Sequence, residues 1–211
     1  MSQGQTEGRA AAGAAGVIGI TGVTGHIGGR VRELLTGSGR PLVLLARSPH
    51  KVAPAPGEQV RACDFADQEG AVLALQGVDT LLMVSASEAV DRLDQHRAFV
   101  AAAAAAGVRH VVYTSFQGAA SDCTFTLGRD HWATEVALRE SGMAVTFLRD
   151  SFYADFLPLM AQDGVIRGPA GDGRVAAVGG VGRQRRGRPL AAAGPARPPP
   201  GSPGPTRPPR R

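Results

Sequence analysis

The chain has 211 residues, 43% of them apolar, enough for one sizeable core and ordinary for a soluble globular protein. Its net charge of +5 belongs to residues 179–211, which hold eight arginines and no acid; the preceding residues carry 15 basic against 18 acidic groups, so the body of the chain has no nucleic-acid footprint. No stretch approaches a membrane span and "MSQGQTEGRAAAGAAG" lacks a secretory apolar core, so a cytoplasmic protein is expected.

Residues 1–13 are small and polar and are expected to be disordered. From there a rhythm begins, and residues 14–178 read as one domain. "AGVIGIT" is a buried strand, and "HIGGRVRELLTGSG" a helix with Ile27, Val31, Leu34 and Leu35 on one face, closed by glycine. "PLVLLAR" is a second strand and "EQVRACD" a shorter third. "DQEGAVLALQG" is a helix capped by Asp67, and "VDTLLMVS" a fourth strand. "SEAVDRLDQHRAFVAAAAAAG" is a long helix, favoured by its alanine run, whose small residues allow close packing on a sheet. "VRHVVYTS" is a fifth strand, residues 127–140 a helix and "MAVTFLR" a sixth strand. Apolar strands alternating with helices describe an α/β protein with a doubly wound parallel sheet covered on both faces.

In that setting "GITGVTGHIGG" acquires a meaning. A strand ending in a glycine turn that runs into a helix offers unpaired N–H groups and the positive helix end to an anion. Gly22 is expected to allow the turn, Gly25 to let the backbone approach a pyrophosphate, and Gly28 to let the helix lie close on the sheet, with Thr21, Thr24, His26 and Ile27 in or beside the turn. The second strand of such a sheet ends in Asp or Glu when the cofactor is NAD; here Arg47 stands at that place and Lys51 four residues on. A guanidinium cannot accept from ribose hydroxyls but suits a 2′-phosphate, so NADPH is expected over NADH. Asp64 and Phe65 end the third strand, where an acid can bond the adenine amino group and an aromatic can flank the ring; Asp64 reads equally as a turn acid. Ser85, Ala86 and Ser87 end the fourth strand on the same edge, small enough for the nicotinamide half to pass.

Metal chemistry is not expected. Cys63 and Cys123 have no ligand spacing and read as free thiols, and His96, with no second histidine at metal spacing, reads as a helix-surface or interface group.

Taken in order, "ITGVTGHIG", "LLARSPHK", "ACDFADQEGAVLALQGVDTLLMVSAS", "QHRAFVAAAAAAGVRHVVYTS" and "ALRESGMAVTFLRDSFYADF" resemble the NmrA-like branch of the atypical short-chain dehydrogenases, and within it the bacterial NADPH-dependent quinone oxidoreductases. The resemblance runs from about residue 17 to residue 178. It implies a Rossmann fold, NADPH, and either hydride transfer to a quinone or similar small carbonyl compound or a non-catalytic redox-sensing role toward a protein partner. A homodimer is among the expected assemblies, since this fold often pairs through helices.

The Tyr-x-x-x-Lys dyad of typical short-chain dehydrogenases is absent: Gln117 follows Tyr113 by four residues, Leu157 follows Tyr153, and the single lysine is Lys51. A quinone accepts hydride readily because its product is aromatic, so orientation and a dry site matter more than a strong acid. His131 falls about where the family's catalytic-helix residue stands and is the candidate to orient or protonate the substrate, with Phe152 and Tyr153 flanking a flat ring. A surface histidine and two core aromatics are the competing readings.

Residues 179–211 break the pattern, with nine prolines, seven glycines and the eight arginines, and are expected to be disordered. An arginine-rich arm for nucleic acid or an acidic membrane surface is one reading. The other is a slip of reading frame near Val178 in a gene rich in G and C, which would leave a C-terminally truncated domain with uncovered apolar surface and no activity.

Overall fold

The computed structural model describes residues 16–151 and 153. By internal contacts the chain divides into Met1–Val181 and Gly182–Arg211, and every described residue belongs to the first. The segments 1–13 and 179–211, and the side chain of Phe152, lie outside the described residues.

Among the described residues six strands form one sheet: β1 (Ile18–Ile20), β2 (Leu42–Ala46), β3 (Glu58–Ala62), β4 (Thr80–Met83), β5 (His110–Phe116) and β6 (Ala144–Asp150). Their order is β3-β2-β1-β4-β5-β6 and every pairing is parallel. The helices are α1 (His26–Leu35), α2 (Gln68–Leu75), α3 (Arg92–Ala105) and α4 (Thr126–Glu140), with a 3-10 turn at Pro49–Lys51. The strand order reverses between β1 and β4, where a doubly wound sheet opens a crevice at its carboxyl edge.

The apolar pattern of β2 shows how the sheet is covered. Val43 and Leu45 point into a core shared with Leu75, Phe99, Ala103 and Val111, beneath α2 and α3. Leu42, Leu44 and Ala46 point the other way, with Ile20 and Leu82, against Val31 and Leu35 of α1. All five β2 residues are buried, and each buried leucine contributes about 2 kcal/mol. Coverage is complete only at the centre: the outer strands β3 and β6 carry exposed and half-buried positions.

Three expectations are corrected. Leu34, expected on the buried face of α1, is 65% exposed; close approach at Gly28 turns the helix so that Val31 and Leu35 face the sheet. The long helix starts at Arg92, not Ser87, because its own side chains hold Ala86 in a turn that folds back on it. Of the two readings of His96, helix surface or interface, the surface one is overturned: the imidazole is wholly buried where α3 meets α4 and the loop after β4. The Asp67 cap is as expected, its carboxylate accepting from Gly70 N at 3.0 Å, and both cysteines are free thiols.

The segment between β2 and β3 is fixed from below. Glu58, its side chain 1% exposed, accepts from Arg32 at 2.6 Å, from Thr36 Oγ1 at 2.8 Å and from Ala55 N at 2.8 Å. The Arg32 hydrogen bond holds its pKa down at about 2 against an ordinary 4.5. A depressed carboxylate pKa gives stability that is whole above about pH 4.5 and lost as pH falls toward 2. At 1.36 kcal/mol per unit, discounted for screening by water around the partly exposed Arg32, the loss is about 1–2 kcal/mol. Urea unfolding at pH 5.5 and pH 2.5 is expected to register it, and Glu58→Gln to remove this part of the pH dependence.

Candidate functional site

The turn after β1 is built by contacts only glycine permits. Gly22 has φ +63°, the left-handed region, and Gly25 N donates to Gly22 O at 2.9 Å. A Cβ on Gly28 would lie 2.4 Å from Gly22 O and 2.5 Å from Thr21 O. The first turn of α1 therefore rests on the backbone of the glycine turn. Gly25 is the N-cap of α1; no side chain caps it and no acid stands in the first turn, so its N–H groups are left for an anion. Thr21 is a buried tie between strands, its hydroxyl donating to Leu82 O at 3.1 Å and accepting from Val84 N at 2.8 Å.

Above this turn lies a groove of about 690 Å³ along the carboxyl ends of β1 to β4. Of the expected cofactor residues, Gly22, Thr24, Arg47 and Lys51 line it, as do Asp64, Phe65, Ser85, Ala86 and Ser87. Gly25, His26, Ile27 and Gly28 are not among its lining residues; they form the end of the turn and the start of α1, with Gly25 and His26 exposed and Gly28 buried.

Arg47 follows the last residue of β2 and is exposed, and Lys51 closes the 3-10 turn beside it. Neither has an ion-pair partner among the described residues, so two cations face the groove unneutralised. At the end of β3, Asp64 accepts from Ala66 N at 3.0 Å, serving as a turn acid while also lining the groove. Phe65 stacks on Phe99 with centroids 4.0 Å apart and meets His96 edge-on. Cys63 also lines the groove, and burial pushes its thiol up to about 12, so it is an inert thiol at neutral pH.

The loop after β4 is held by a buried polar network that the sequence did not announce. Thr114 Oγ1 accepts from Ser85 N at 2.8 Å. Ala86 N donates to His96 Nε2 at 3.0 Å, so His96 carries its proton on Nδ1 and donates to Thr134 Oγ1, which in turn donates to Asp130 O. Arg92, 2% exposed, donates through Nε to Ala86 O at 2.9 Å and through its other nitrogens to Asp130 at 3.3 Å and His131 Nε2 at 3.2 Å. Both imidazoles are neutral. Burial, reinforced by the Arg92 charge, lowers His96 to about 3 and His131 to about 4.

His131 thus stands in a different setting from the one expected. It is 7% exposed and does not line the groove; Arg92 donates to its Nε2, and its Nδ1–H donates to the Tyr113 hydroxyl at 2.8 Å. Burial pushes Tyr113 up to about 12. Tyr153 is half-buried and donates to Asp150 Oδ2 at 2.9 Å, and burial and that carboxylate raise its pKa. The signal that could have revealed the network is spacing: Arg92 and His96 stand four apart on α3, as do Asp130 and Thr134 on α4, and each pair shares a helix face.

A reversed parallel sheet with an uncapped glycine turn and a groove at its switch point defines the dinucleotide-binding class. Residues 22–168 match the NAD(P)H-binding family, and the chain belongs to it. It is 38% identical over 141 residues to quinone oxidoreductase 2 of Escherichia coli, spanning 64% of this chain and 49% of that protein. It is 33% identical over 155 residues to an NAD(P)H azoreductase of Xenophilus azovorans, spanning 71% and 54%. Among solved structures, the E. coli NADPH-dependent quinone oxidoreductase complexed with NADPH superposes with a TM-score of 0.62 at 37% identity, covering 68% of this chain and 52% of that one. The Citrobacter triphenylmethane reductase complexed with NADP(H) gives 0.62 at 33%, covering 66% and 51%. The chain spans about half the length of the curated relatives it matches. Among the described residues no helix is long and apolar enough to cross a membrane.

Proposed function

We propose that the chain binds NADPH in preference to NADH and derives from an oxidoreductase that passes hydride to a quinone or similar small carbonyl compound. The observation that carries this reading is the pair of unneutralised cations, Arg47 and Lys51, at the end of β2. NADPH supplies the hydride. The chain's own residues do the rest. Gly22, Gly25 and the α1 terminus hold the pyrophosphate, and Arg47 and Lys51 take the 2′-phosphate. Asp64 and Phe65 meet the adenine, and Ser85, Ala86 and Ser87 border the nicotinamide. Tyr153, at the end of β6, is the aromatic offered to a flat acceptor, and His131 acts through Tyr113 and Arg92 rather than by touching substrate.

A second reading, a cofactor-occupied redox sensor without turnover, is favoured by the sequestration of His131 and the lack of a Tyr-x-x-x-Lys dyad. The two separate on multiple turnovers with a quinone series: NADPH binding without turnover supports the sensor. Replacing Arg47 with alanine is expected to weaken NADPH by roughly tenfold to a hundredfold, the worth of a charge-assisted hydrogen bond to phosphate. NADH binding should be nearly unchanged. Nicotinamide fluorescence titration measures both, and an unaltered NADPH preference would remove Arg47 from the site.

A further inference from the structure

The loop Ser85–Ser87 borders the groove, yet none of its first backbone donors is available to a ligand. Ser85 N–H is taken by Thr114 and Ala86 N–H by His96, while the Ala86 carbonyl is taken by Arg92. Both peptide groups of one residue are thus gripped by two side chains four positions apart on α3, and neither of those side chains lines the groove. The grip is braced from α4: Thr134 fixes the His96 ring, and Asp130 and His131 fix the Arg92 fork. Every bond in the chain has a defined donor and acceptor, and among the described residues no buried side-chain polar atom lacks a partner. A fully satisfied buried network of this kind permits one arrangement of the loop it holds.

We propose that Arg92 and His96 are positioning residues that set the height of the Ser85–Ser87 loop against the nicotinamide half of NADPH, leaving the adenosine half to the β2 and β3 ends. This rests on the NADPH reading above. It explains why a loop lined by small residues, which by themselves would leave the chain free to wander, is tied at three backbone polar groups from α3 and β5. It also explains why an arginine is buried at a cost that only multiple hydrogen bonds offset. Rigid support behind a ligand-facing shell is what holds a reacting ring in one pose.

The test separates the two halves of the cofactor. With the full chain, 2′,5′-ADP reports the adenosine half alone, and NADPH fluorescence reports the whole. His96→Leu is expected to weaken NADPH about tenfold, the loss of one buried hydrogen bond that orders the loop, and to reduce bound nicotinamide emission. Affinity for 2′,5′-ADP should stay within about twofold, because leucine keeps an apolar group against Phe65, whose ring remains stacked on Phe99. His96→Gln, whose amide can accept from Ala86 and donate to Thr134, is expected to restore most of the NADPH affinity. Equal losses for both ligands, or no loss of NADPH in a folded His96→Leu protein, would overturn the proposal. Should His96→Leu fail to fold, Thr134→Val, which removes the far partner of the imidazole along with the hydroxyl's own bond to Asp130 O, decides by the same split: NADPH weakened alone supports it, and both or neither weakened overturns it. A wild-type chain that binds neither ligand would overturn the cofactor reading itself, a different failure.

Discussion

Replacing Gly28 with alanine is expected to destabilise the domain by about 3 kcal/mol and to abolish NADPH binding. The added Cβ would sit 2.4 Å from Gly22 O and 2.5 Å from both Gly22 C and Thr21 O. All three are backbone atoms at the end of a buried strand, so no side chain can swing aside; either α1 moves off the sheet or the turn opens. Both responses disturb the same N–H groups that face the pyrophosphate. Gly25 provides the contrast. Its φ is −99° and a Cβ there would come only within 3.3 Å of Gly22 O, so Gly25→Ala should keep stability within about 1 kcal/mol of wild type while still obstructing the anion. Chemical unfolding and an NADPH titration on the two variants would check this. Equal stability of both variants would mean that the α1 approach is looser than the geometry states.

The second large effect is expected at Glu135. This carboxylate, 0% exposed, accepts from Ser115 Oγ at 2.6 Å, from Arg149 at 2.6 and 2.8 Å, and from Arg139 at 2.8 Å. It therefore ties α4 to β5 and to the edge strand β6. Glu135→Leu removes the acceptor and strands the buried Ser115 hydroxyl, while the two arginines, about half exposed, can turn to water. The loss should be about 3 kcal/mol, the lower end for a broken buried ion pair. Burial alone would raise the Glu135 pKa, but the Arg149 hydrogen bond and its companions win and hold it below the ordinary carboxylate value. The stabilisation is accordingly present above pH 4.5 and falls away in more acid solution. Comparing thermal unfolding of wild type and variant at pH 7 and pH 3 would measure it: the difference should narrow in acid, and a difference that widened would contradict the assignment.

What could be read in the chain and what could not divides along a physical line. The central strands were legible because a strand buried on both faces must be apolar at every position, and "LVLLA" is. The Asp67 cap was legible because capping is a local bond. Leu34 was misplaced because periodicity gives the angular spacing of a helix face but not which way the face turns; the Gly28 contact decides that. His96 was misread because its partners, the Ala86 peptide and Thr134, lie 10 and 38 residues away along the chain.

The sequence by itself determined the parallel α/β class, the glycine turn and the two cations at the end of β2, since each rests on residue type at a fixed offset from a strand. The membership of the NAD(P)H-binding family accords with that reading. Only the tertiary structure decided that His131 is held between Tyr113 and Arg92 and that Arg92 and His96 grip the loop after β4. Those are bonds between helices and strands far apart in the chain, and a buried polar group takes whichever partner the packed sheet brings within about 3 Å, which no local pattern records.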